Sequence, residues 1–440
     1  MVRSLWSGVA GLKTHQLQMD VIGNNVSNVN TTSYKSQRTT FGDLLYQTNR
    51  RANGPSAIRG GTNAKQIGLG AKTSAIMTNI AKQGSIQTTD APFDISITGD
   101  SFFVIENANG EMCYSRDGSF TVDAEGYLVT RGNGYYVRGI SEADAEATAL
   151  SRIQVIPINE EGVVERMAGE ATTYARVTGN IAKVDPLLDP EKGRTLDLEF
   201  YGTDGNTYTM RLRFTDAGDN DDRTYTATIT NIYDSNHRTI QGGVPEENTV
   251  NLTFDPVNGS FVSANGAENG QITVAFQGDA ADAGTLTVDF SQMTSFAPMG
   301  DSTSSALYAY RGDDQGNFEG YPEGKMVGVS VGQDGTVTRL FSNGKTQFAG
   351  RIVVAEFANA TGLSKEGENL YKATGNSGDA QLMFVNDDGG YMTAGTLEMS
   401  NVDLSTEFTN MIITQRGFQA NSRVITVTDT LLDELRQLKR

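Results

Sequence analysis

The chain has very little of the side-chain chemistry that most enzymes and metal-binding domains use. Among its 440 residues there is one cysteine, Cys113, and there are two histidines, His15 and His237. One cysteine excludes an internal disulfide framework and any multi-cysteine metal site. Two histidines in distant segments do not form the ligand spacing of a zinc or catalytic cluster. We therefore expect no metal site and no cofactor.

Long hydrophobic runs are also absent, and prolines are few. No apolar run reaches the roughly 18–20 residues of a membrane span, so we expect no membrane insertion. The first residues lack the apolar core and the small-residue cleavage site of a secretory leader. The 49 glycines against nine prolines indicate many turns and close backbone contacts. The sequence predicts a protein that is either cytoplasmic or exported without a cleaved leader.

Basic side chains are scarce after the first 80 positions. Residues 1–80 hold nine Lys or Arg and two acids, a balance of +7, whereas the whole chain carries −18. Residues 81–440 therefore carry −25. Because nucleic-acid binding needs a basic face, a mostly acidic surface argues against nucleic acid as a partner.

No catalytic motif withstands inspection. Gly344-Lys-Thr346 ends like a phosphate loop, but Arg339 stands where the leading glycine is required. The segment Asp216–Asp222 has the carboxylate density of a calcium loop, yet it lacks the glutamate at the required spacing, so a solvated acidic turn is the favoured interpretation. Since no titratable cluster offers acid–base or nucleophilic chemistry, we expect no enzyme.

What the chain does have is an apolar residue at every seventh position near both ends. Seven residues are two helical turns, so each series forms one stripe along a helix that needs a partner helix. We expect helices over 4–29 and 400–438 that pair as an α-helical coiled coil. Polar residues near the stripes, such as Gln16 and Ser422, suit a ring of subunits better than a dry two-helix seam. The first series is Leu5, Leu12, Met19 and Val26, and the second is Leu404, Met411, Phe418, Ile425 and Leu432.

Between the helices the hydrophobic pattern alternates with the period of two that is typical of β-strands. The expected fold class is mainly β with terminal α-helices, in a nested multi-domain arrangement whose two β-rich domains project outward. The terminal helical domain is predicted over 1–30 and 400–440, an extended connector over 31–90, and a return connector over 381–399. An inner β domain is predicted over 91–149 and 306–380, with an outer β domain over 150–305.

Several segments of the chain resemble the bacterial flagellar rod and hook protein family. Segment 24–35, Asn-Asn-Val-Ser-Asn-Val-Asn-Thr-Thr-Ser-Tyr-Lys, resembles the N-terminal signature of that family, which usually has glycine where Ser33 stands. The C-terminal segments are the most specific. Further resemblance lies in Asp94–Val104, Tyr114–Phe120, Gly395–Phe408 and Gln415–Ser422.

The resemblance implies a function in flagellum-dependent motility. Within the family, the long block at 150–305 favours the hook branch, whose members self-assemble into a flexible helical tube that transmits motor torque from rod to filament. The implied location is the flagellum, outside the cell, after leaderless type III export. The implied partners are copies of the chain itself, the rod, the hook cap, the hook–filament junction proteins and the export apparatus. The alternatives are a distal-rod or other hook-like axial protein and, from another class, a β-rich surface lectin or adhesin.

The residues that we expect at the assembly interface come from the two stripes and from the signature segment. They share either an apolar side chain at helical spacing or an amide, phenol or ammonium group in the signature. They are Leu5, Val9, Leu12, Met19, Val26, Asn24, Asn25, Asn28, Tyr34, Lys35, Leu404, Phe408, Met411, Gln415, Phe418, Asn421, Ile425 and Leu432.

Overall fold

The computed structural model describes residues 2–55, 59–141, 146–158, 163–217, 223–245, 248–276, 282–296 and 304–438. It is mainly β, with helix α1 (Val2–Ser27) near the start of the chain and helix α2 (Leu404–Gln437) near its end. The expected fold class is therefore confirmed. Most of the calcium-loop-like segment 216–222 lies outside the described residues.

The chain divides into two compact units. The first unit comprises 1–162, 329–339 and 347–440, and the second comprises 163–328 and 340–346. The second unit is thus inserted into the first along the chain. The first unit contains both the N-terminal and the C-terminal segments of the sequence. Among the described residues, neither helix is apolar enough over a sufficient length to cross a membrane.

In the N-terminal part of the first unit, α1 is followed by a series of short strands. The strands Gln37–Asp43 and Ala71–Thr78 pair antiparallel, and the strands Tyr46–Arg50 and Lys65–Gly68 form a two-stranded ribbon between them. The strands are β1 (Gln37–Asp43), β2 (Tyr46–Arg50), β3 (Lys65–Gly68), β4 (Ala71–Thr78), β5 (Ile86–Thr88), β6 (Ile95–Thr98), β7 (Phe102–Glu106), β8 (Met112–Ser115), β9 (Phe120–Val122), β10 (Leu128–Thr130), β11 (Tyr136–Ile140) and β12 (Ser151–Arg152).

The second unit has two five-stranded sheets that share one core. One sheet has the order β19-β20-β13-β21 with β22 paired to β13, and the other has the order β14-β15-β16-β17-β18. Alternate residues of the strand Arg194–Tyr201, namely Leu198 and Phe200, are buried in the core. The strands are β13 (Tyr174–Asn180), β14 (Arg194–Tyr201), β15 (Thr207–Asp216), β16 (Thr224–Tyr233), β17 (Thr249–Phe254), β18 (Phe261–Ala264), β19 (Gln271–Ala275), β20 (Thr285–Asp289), β21 (Met293–Thr294) and β22 (Ala306–Arg311).

The remaining strands return the chain to the first unit and complete its sheet. That sheet runs in the order β25-β11-β7-β8-β28-β27, and Phe103, Ile105 and Ile352 are fully buried in its core. The strands are β23 (Met326–Val331), β24 (Thr336–Phe341), β25 (Thr346–Ile352), β26 (Val354–Glu356), β27 (Ser364–Gly367), β28 (Leu370–Lys372), β29 (Gln381–Met383), β30 (Tyr391–Ala394) and β31 (Thr396–Glu398).

The structure draws several boundaries differently from the sequence prediction. The predicted connector 31–90 contains strands β1–β5, and the predicted return connector 381–399 contains β29–β31, because backbone pairing orders both segments. Segment 306–311 lies in the second unit because it pairs with β13. Ile153 and Val155, predicted in the outer domain, are fully buried in the core of the first unit. Strand pairing between distant segments leaves no local signal in the sequence, so periodicity alone does not locate these limits.

Helix α2 begins at a side-chain cap. Asp403 has extended backbone, and its two carboxylate oxygens accept hydrogen bonds from the Ser405 backbone N–H at 3.0 Å and the Thr406 hydroxyl at 2.7 Å. These bonds hold the pKa of the Asp403 carboxyl below its ordinary value. The cap fixes where the helix leaves the β-rich part of the first unit.

Candidate functional site

Helices α1 and α2 pack against each other in antiparallel orientation. Near the start of α1, a Cβ atom at Gly8 would stand 3.3 Å from the Cγ1 atom of Ile425. Near the end of α1, the Asn25 side-chain amide donates a hydrogen bond to the Glu407 carboxylate at 3.0 Å. Early residues of α1 therefore face late residues of α2, and the start of α1 and the end of α2 lie at the same end of the pair.

The line of contact is built from small and polar residues. Thr14 on α1 and Thr414 and Thr428 on α2 are buried. Each of these hydroxyls donates to a carbonyl oxygen of its own helix, so burial leaves no hydroxyl unsatisfied. A seam of this kind places the helices close together without a continuous apolar stripe.

At the middle of the seam, glycine residues allow the two helices to approach each other closely. A Cβ atom at Gly417 would lie 2.7 Å from the imidazole ring of His15. A Cβ atom at Gly11 would lie 2.7 Å from the Asn421 side chain. The missing side chains of these two glycines therefore allow the close contact between the helices.

We expect Gly417→Val to lower the free energy of unfolding of the first unit by about 1–3 kcal/mol, because the added side chain overlaps the His15 ring. The matched control is Gly23→Val, which places the same side chain in the other helix where no atom lies within 4 Å. Chemical denaturation followed by circular dichroism measures both variants. Equal effects at the two positions would contradict the close-contact role of Gly417.

The predicted stripe residues divide between the seam and the solvent. On α1, Leu5, Val9, Leu12, Met19 and Val26 are half-buried. On α2, the half-buried predicted residues are Met411, Asn421 and Ile425. Those exposed to solvent in the protomer are Leu404, Phe408, Gln415, Phe418 and Leu432. The seven-residue series therefore coincides only in part with the face that α2 turns toward α1.

A second apolar series on α2, which the sequence analysis missed, is exposed. Its members are 41–83% exposed, and they share one side of the helix because most are spaced by three or four residues. That spacing was the signal available in the sequence. We call this series the outer stripe; it consists of Ile413, Val424, Val427, Leu431, Leu435 and Leu438.

At the base of the two helices the signature segment forms a buried polar network. Asn25 is 1% exposed, and its side chain makes four hydrogen bonds. Its amide donates to the Gln37 carbonyl and to the Glu407 carboxylate, and its oxygen accepts from the Gln37 N–H and the Tyr34 hydroxyl. Asn24 donates to the same Tyr34 hydroxyl, and Asn28 donates back to Asn24. The network ties the end of α1 to the first turn of α2.

A buried ion pair extends this network into the β-rich part of the first unit. The Lys35 ammonium lies 2.7 Å from Glu398 Oε1, and the two side chains are 0% and 3% exposed. Lys35 also donates to the Lys82 carbonyl at 3.0 Å, and the Gly84 N–H donates to the same Glu398 oxygen at 2.8 Å. Burial lowers the pKa of Lys35, and the Glu398 charge opposes that shift.

Two further polar residues anchor the network to neighbouring segments. Asn401 accepts from the Ser36 N–H and donates to the carbonyls of Asn79 and Lys82, so it joins three parts of the chain. Ser33 has a φ of +55°, the left-handed region that favours glycine, and its hydroxyl donates to the Arg116 carbonyl at 2.8 Å. This conformation accounts for the glycine that the resembling family usually has at this position.

The arrangement offers mechanical connection rather than chemistry. Its charged groups are held by fixed hydrogen bonds, and in the part of the chain that the structure describes no three His, Cys, Asp or Glu side chains cluster as metal ligands. A rigid polar base with a long two-helix arm is suited to joining subunits.

Three family models match the chain. Residues 5–35 match the model described as flagella basal body rod protein. Residues 96–166 match the D1 domain of flagellar hook protein FlgE/F/G. Residues 393–438 match the C-terminal model of flagellar basal body rod FlgEFG protein. The first and last matches cover the signature segment and both helices of the candidate site.

Full-length relatives give the same result. Flagellar hook protein FlgE of Treponema pallidum is 35% identical, with 100% of both chains covered. Flagellar hook protein FlgE of Borreliella burgdorferi is 33% identical, again with 100% of both chains covered. The crystal structure of Helicobacter pylori flagellar hook protein FlgE2 has a TM-score of 0.46 at 15% identity and covers 71% of this chain and 100% of that one.

Proposed function

Since this chain belongs to the flagellar hook protein family, it is a structural subunit of the bacterial flagellar hook rather than an enzyme, and we propose that it assembles through its two terminal helices. Membership in this family also argues against the alternative function, a β-rich surface lectin or adhesin. The chain is thus a component of a homopolymer in the axis of the flagellum.

The outer stripe is the observation that carries this proposal. Six apolar side chains along one side of α2 are at least 41% exposed in the protomer. Full burial of one such side chain is worth about 1.5–3 kcal/mol, so neighbouring copies that cover the stripe stabilise the polymer substantially. The predicted interface residues Leu404, Phe408, Phe418 and Leu432 are also exposed and extend the surface available to neighbours.

We propose that the polar network at the base of the helices transmits torque. The network joins the helices to the β-rich part of the first unit through hydrogen bonds and one ion pair, all with little access to water. Such fixed geometry resists rotation of the helices relative to the strands. The predicted interface residues Asn24, Asn25, Asn28, Tyr34 and Lys35 then act within the subunit, as the rigid base of its assembly surface.

The ribbon formed by β2 and β3 is a further proposed contact between copies. Every residue of both strands is exposed. A two-stranded ribbon is at best marginally stable alone, so contact with neighbouring subunits would order it. Partners at the two ends of the polymer, namely the rod, the hook cap and the junction proteins, and leaderless type III export complete the proposal.

The first test of assembly is imaging of the purified, concentrated protein by negative-stain electron microscopy. We expect helical tubes, and we expect hydrogen-exchange protection of residues 5–26 to rise on polymerisation as neighbours cover the helices. Strong protection of 5–26 in dilute monomer that does not change in the tube would contradict assembly through the helices. Failure to form tubes at any concentration would contradict self-assembly itself.

A further inference from the structure

Helix α2 extends beyond the start of α1. The contacts of Gly8 with Ile425 and of Asn25 with Glu407 set the antiparallel register, in which the first turn of α1 faces residues near 430. Because α2 continues to Gln437, about seven of its residues have no partner on α1. At 1.5 Å per residue, this overhang is about 10 Å long.

The overhang carries a row of exposed leucines. Leu431, Leu435 and Leu438 lie on one side of it and are 44%, 47% and 83% exposed. Glu434 is on the flank of this leucine row at helical spacing. Within Leu431–Leu438 the acidic side chains are Asp433 and Glu434 and the basic one is Arg436, and Lys439 and Arg440 follow in the sequence.

An open cleft of complementary character lies near the start of α1. It has a volume of about 410 Å³ and is lined by the apolar side chains of Trp6, Val9, Leu44 and Leu69. Trp6 is 66% exposed, so its indole ring is available to a partner. The charged side chains that line the cleft are Arg3 and Lys13, and both are basic.

From these two surfaces we infer that the overhang of one copy, Leu431–Leu438, docks in the Trp6 cleft of a second copy. The leucine row contacts Trp6 and Val9, and Glu434 approaches Lys13. Both surfaces are apolar, and the paired side chains Glu434 and Lys13 carry opposite charges. This inference rests on the proposed function, which supplies the second copy.

The geometry makes the contact head-to-tail. A protomer cannot place its own overhang in its own cleft, because the cleft is lined by residues of α1 and of the strand region that follows it and by none of α2, whereas the overhang continues α2 straight past the start of α1. The second copy must be shifted by about ten residues along the helix, or about 15 Å. A contact between two different surfaces that does not close on itself repeats indefinitely and generates a helical polymer.

Cysteine cross-linking between two variants tests the docking directly. Both variants carry Cys113→Ala, one carries Trp6→Cys, and the other carries Leu435→Cys. The full-length proteins are mixed in equal amounts, assembled into tubes, oxidised and separated on a non-reducing gel. We expect a disulfide-linked dimer containing one copy of each variant, identified by mass spectrometry of the 6–435 peptide pair.

The matched control replaces Leu435→Cys with Ile412→Cys. Ile412 is 59% exposed on the same helix, but it lies 23 residues earlier, about 35 Å along the axis. We expect no dimer between Trp6→Cys and Ile412→Cys. Tubes without a 6–435 dimer, or with equal yields for positions 412 and 435, would overturn the inference while leaving the proposed function intact.

Charge reversal supplies a second readout that does not depend on cysteine. Lys13→Glu is expected to raise the protein concentration needed for tube formation about tenfold, because Glu434 then meets a like charge. The double variant Lys13→Glu with Glu434→Lys restores the opposite charges and is expected to recover assembly near the original concentration. No recovery in the double variant would count against the pairing of these two residues.

Discussion

Lys35→Met is expected to lower the free energy of unfolding of the first unit by about 3–5 kcal/mol, because it leaves Glu398 as a buried charge without its partner. The Lys35 and Glu398 side chains are 0% and 3% exposed, so water cannot replace the lost ammonium group. The second Glu398 carboxylate oxygen, Oε2, is buried and has no hydrogen-bond partner in the described part of the chain, which makes the carboxylate more dependent on Lys35. Denaturant unfolding followed by circular dichroism measures the loss.

Another ion pair in the same unit is a matched control. Lys372 and Glu111 are 2.9 Å apart, close to the separation in the buried pair, but they are 42% and 52% exposed. Lys372→Met should therefore lower the free energy of unfolding far less than Lys35→Met does, because water already solvates both groups of this pair. The double variant Lys35→Met with Glu398→Met should recover part of the lost stability, since it also removes the Glu398 charge that Lys35→Met leaves behind. Similar losses for Lys35→Met and Lys372→Met would refute the special role of the buried pair.

Ile413→Asp is expected to abolish tube formation while leaving the protomer folded. Ile413 is 62% exposed on α2, so the change should alter the stability of the monomer by no more than about 0.5 kcal/mol. In the polymer the same carboxylate would enter an apolar contact between copies, where an unpaired charge costs several kcal/mol. Negative-stain microscopy and sedimentation measure assembly, and circular dichroism of the soluble protein measures folding.

The choice of position matters for this experiment. Leu12, which belongs to the predicted stripe, is half-buried in the protomer, so Leu12→Asp would disturb folding and assembly together. Ile413 separates the two effects because it is far more exposed. Ile413→Val keeps an apolar side chain and is expected to form tubes. Normal tubes from Ile413→Asp would exclude the outer stripe as an assembly surface.

The two helices could be predicted from the sequence because their signal is local. Apolar residues at helical spacing, together with a capping residue such as Asp403, need no information from elsewhere in the chain. The alternation in the middle of the chain likewise predicted strands. The signature segment 24–35 was recognised as a unit, although its role as a buried polar network was not predicted.

The seam between the helices could not be predicted in the same way. The seven-residue series pointed to Leu404 and Phe418, yet the structure turns Thr414, Gly417 and Thr428 toward α1. A heptad count favours bulky apolar residues, whereas a closely packed pair favours the smallest ones. Periodicity alone cannot distinguish the face that packs within a subunit from the face that packs between subunits.

The sequence by itself determined the mainly β class, the terminal helices, the absence of catalytic chemistry and the likeness to axial flagellar proteins. Only the tertiary structure decided the limits of the two units, the pairing of Lys35 with Glu398 and the exposure of the outer stripe. The physical reason is the distance along the chain. Helix and strand periods arise between near neighbours, but Lys35 and Glu398 are 363 residues apart and meet only when the whole first unit folds.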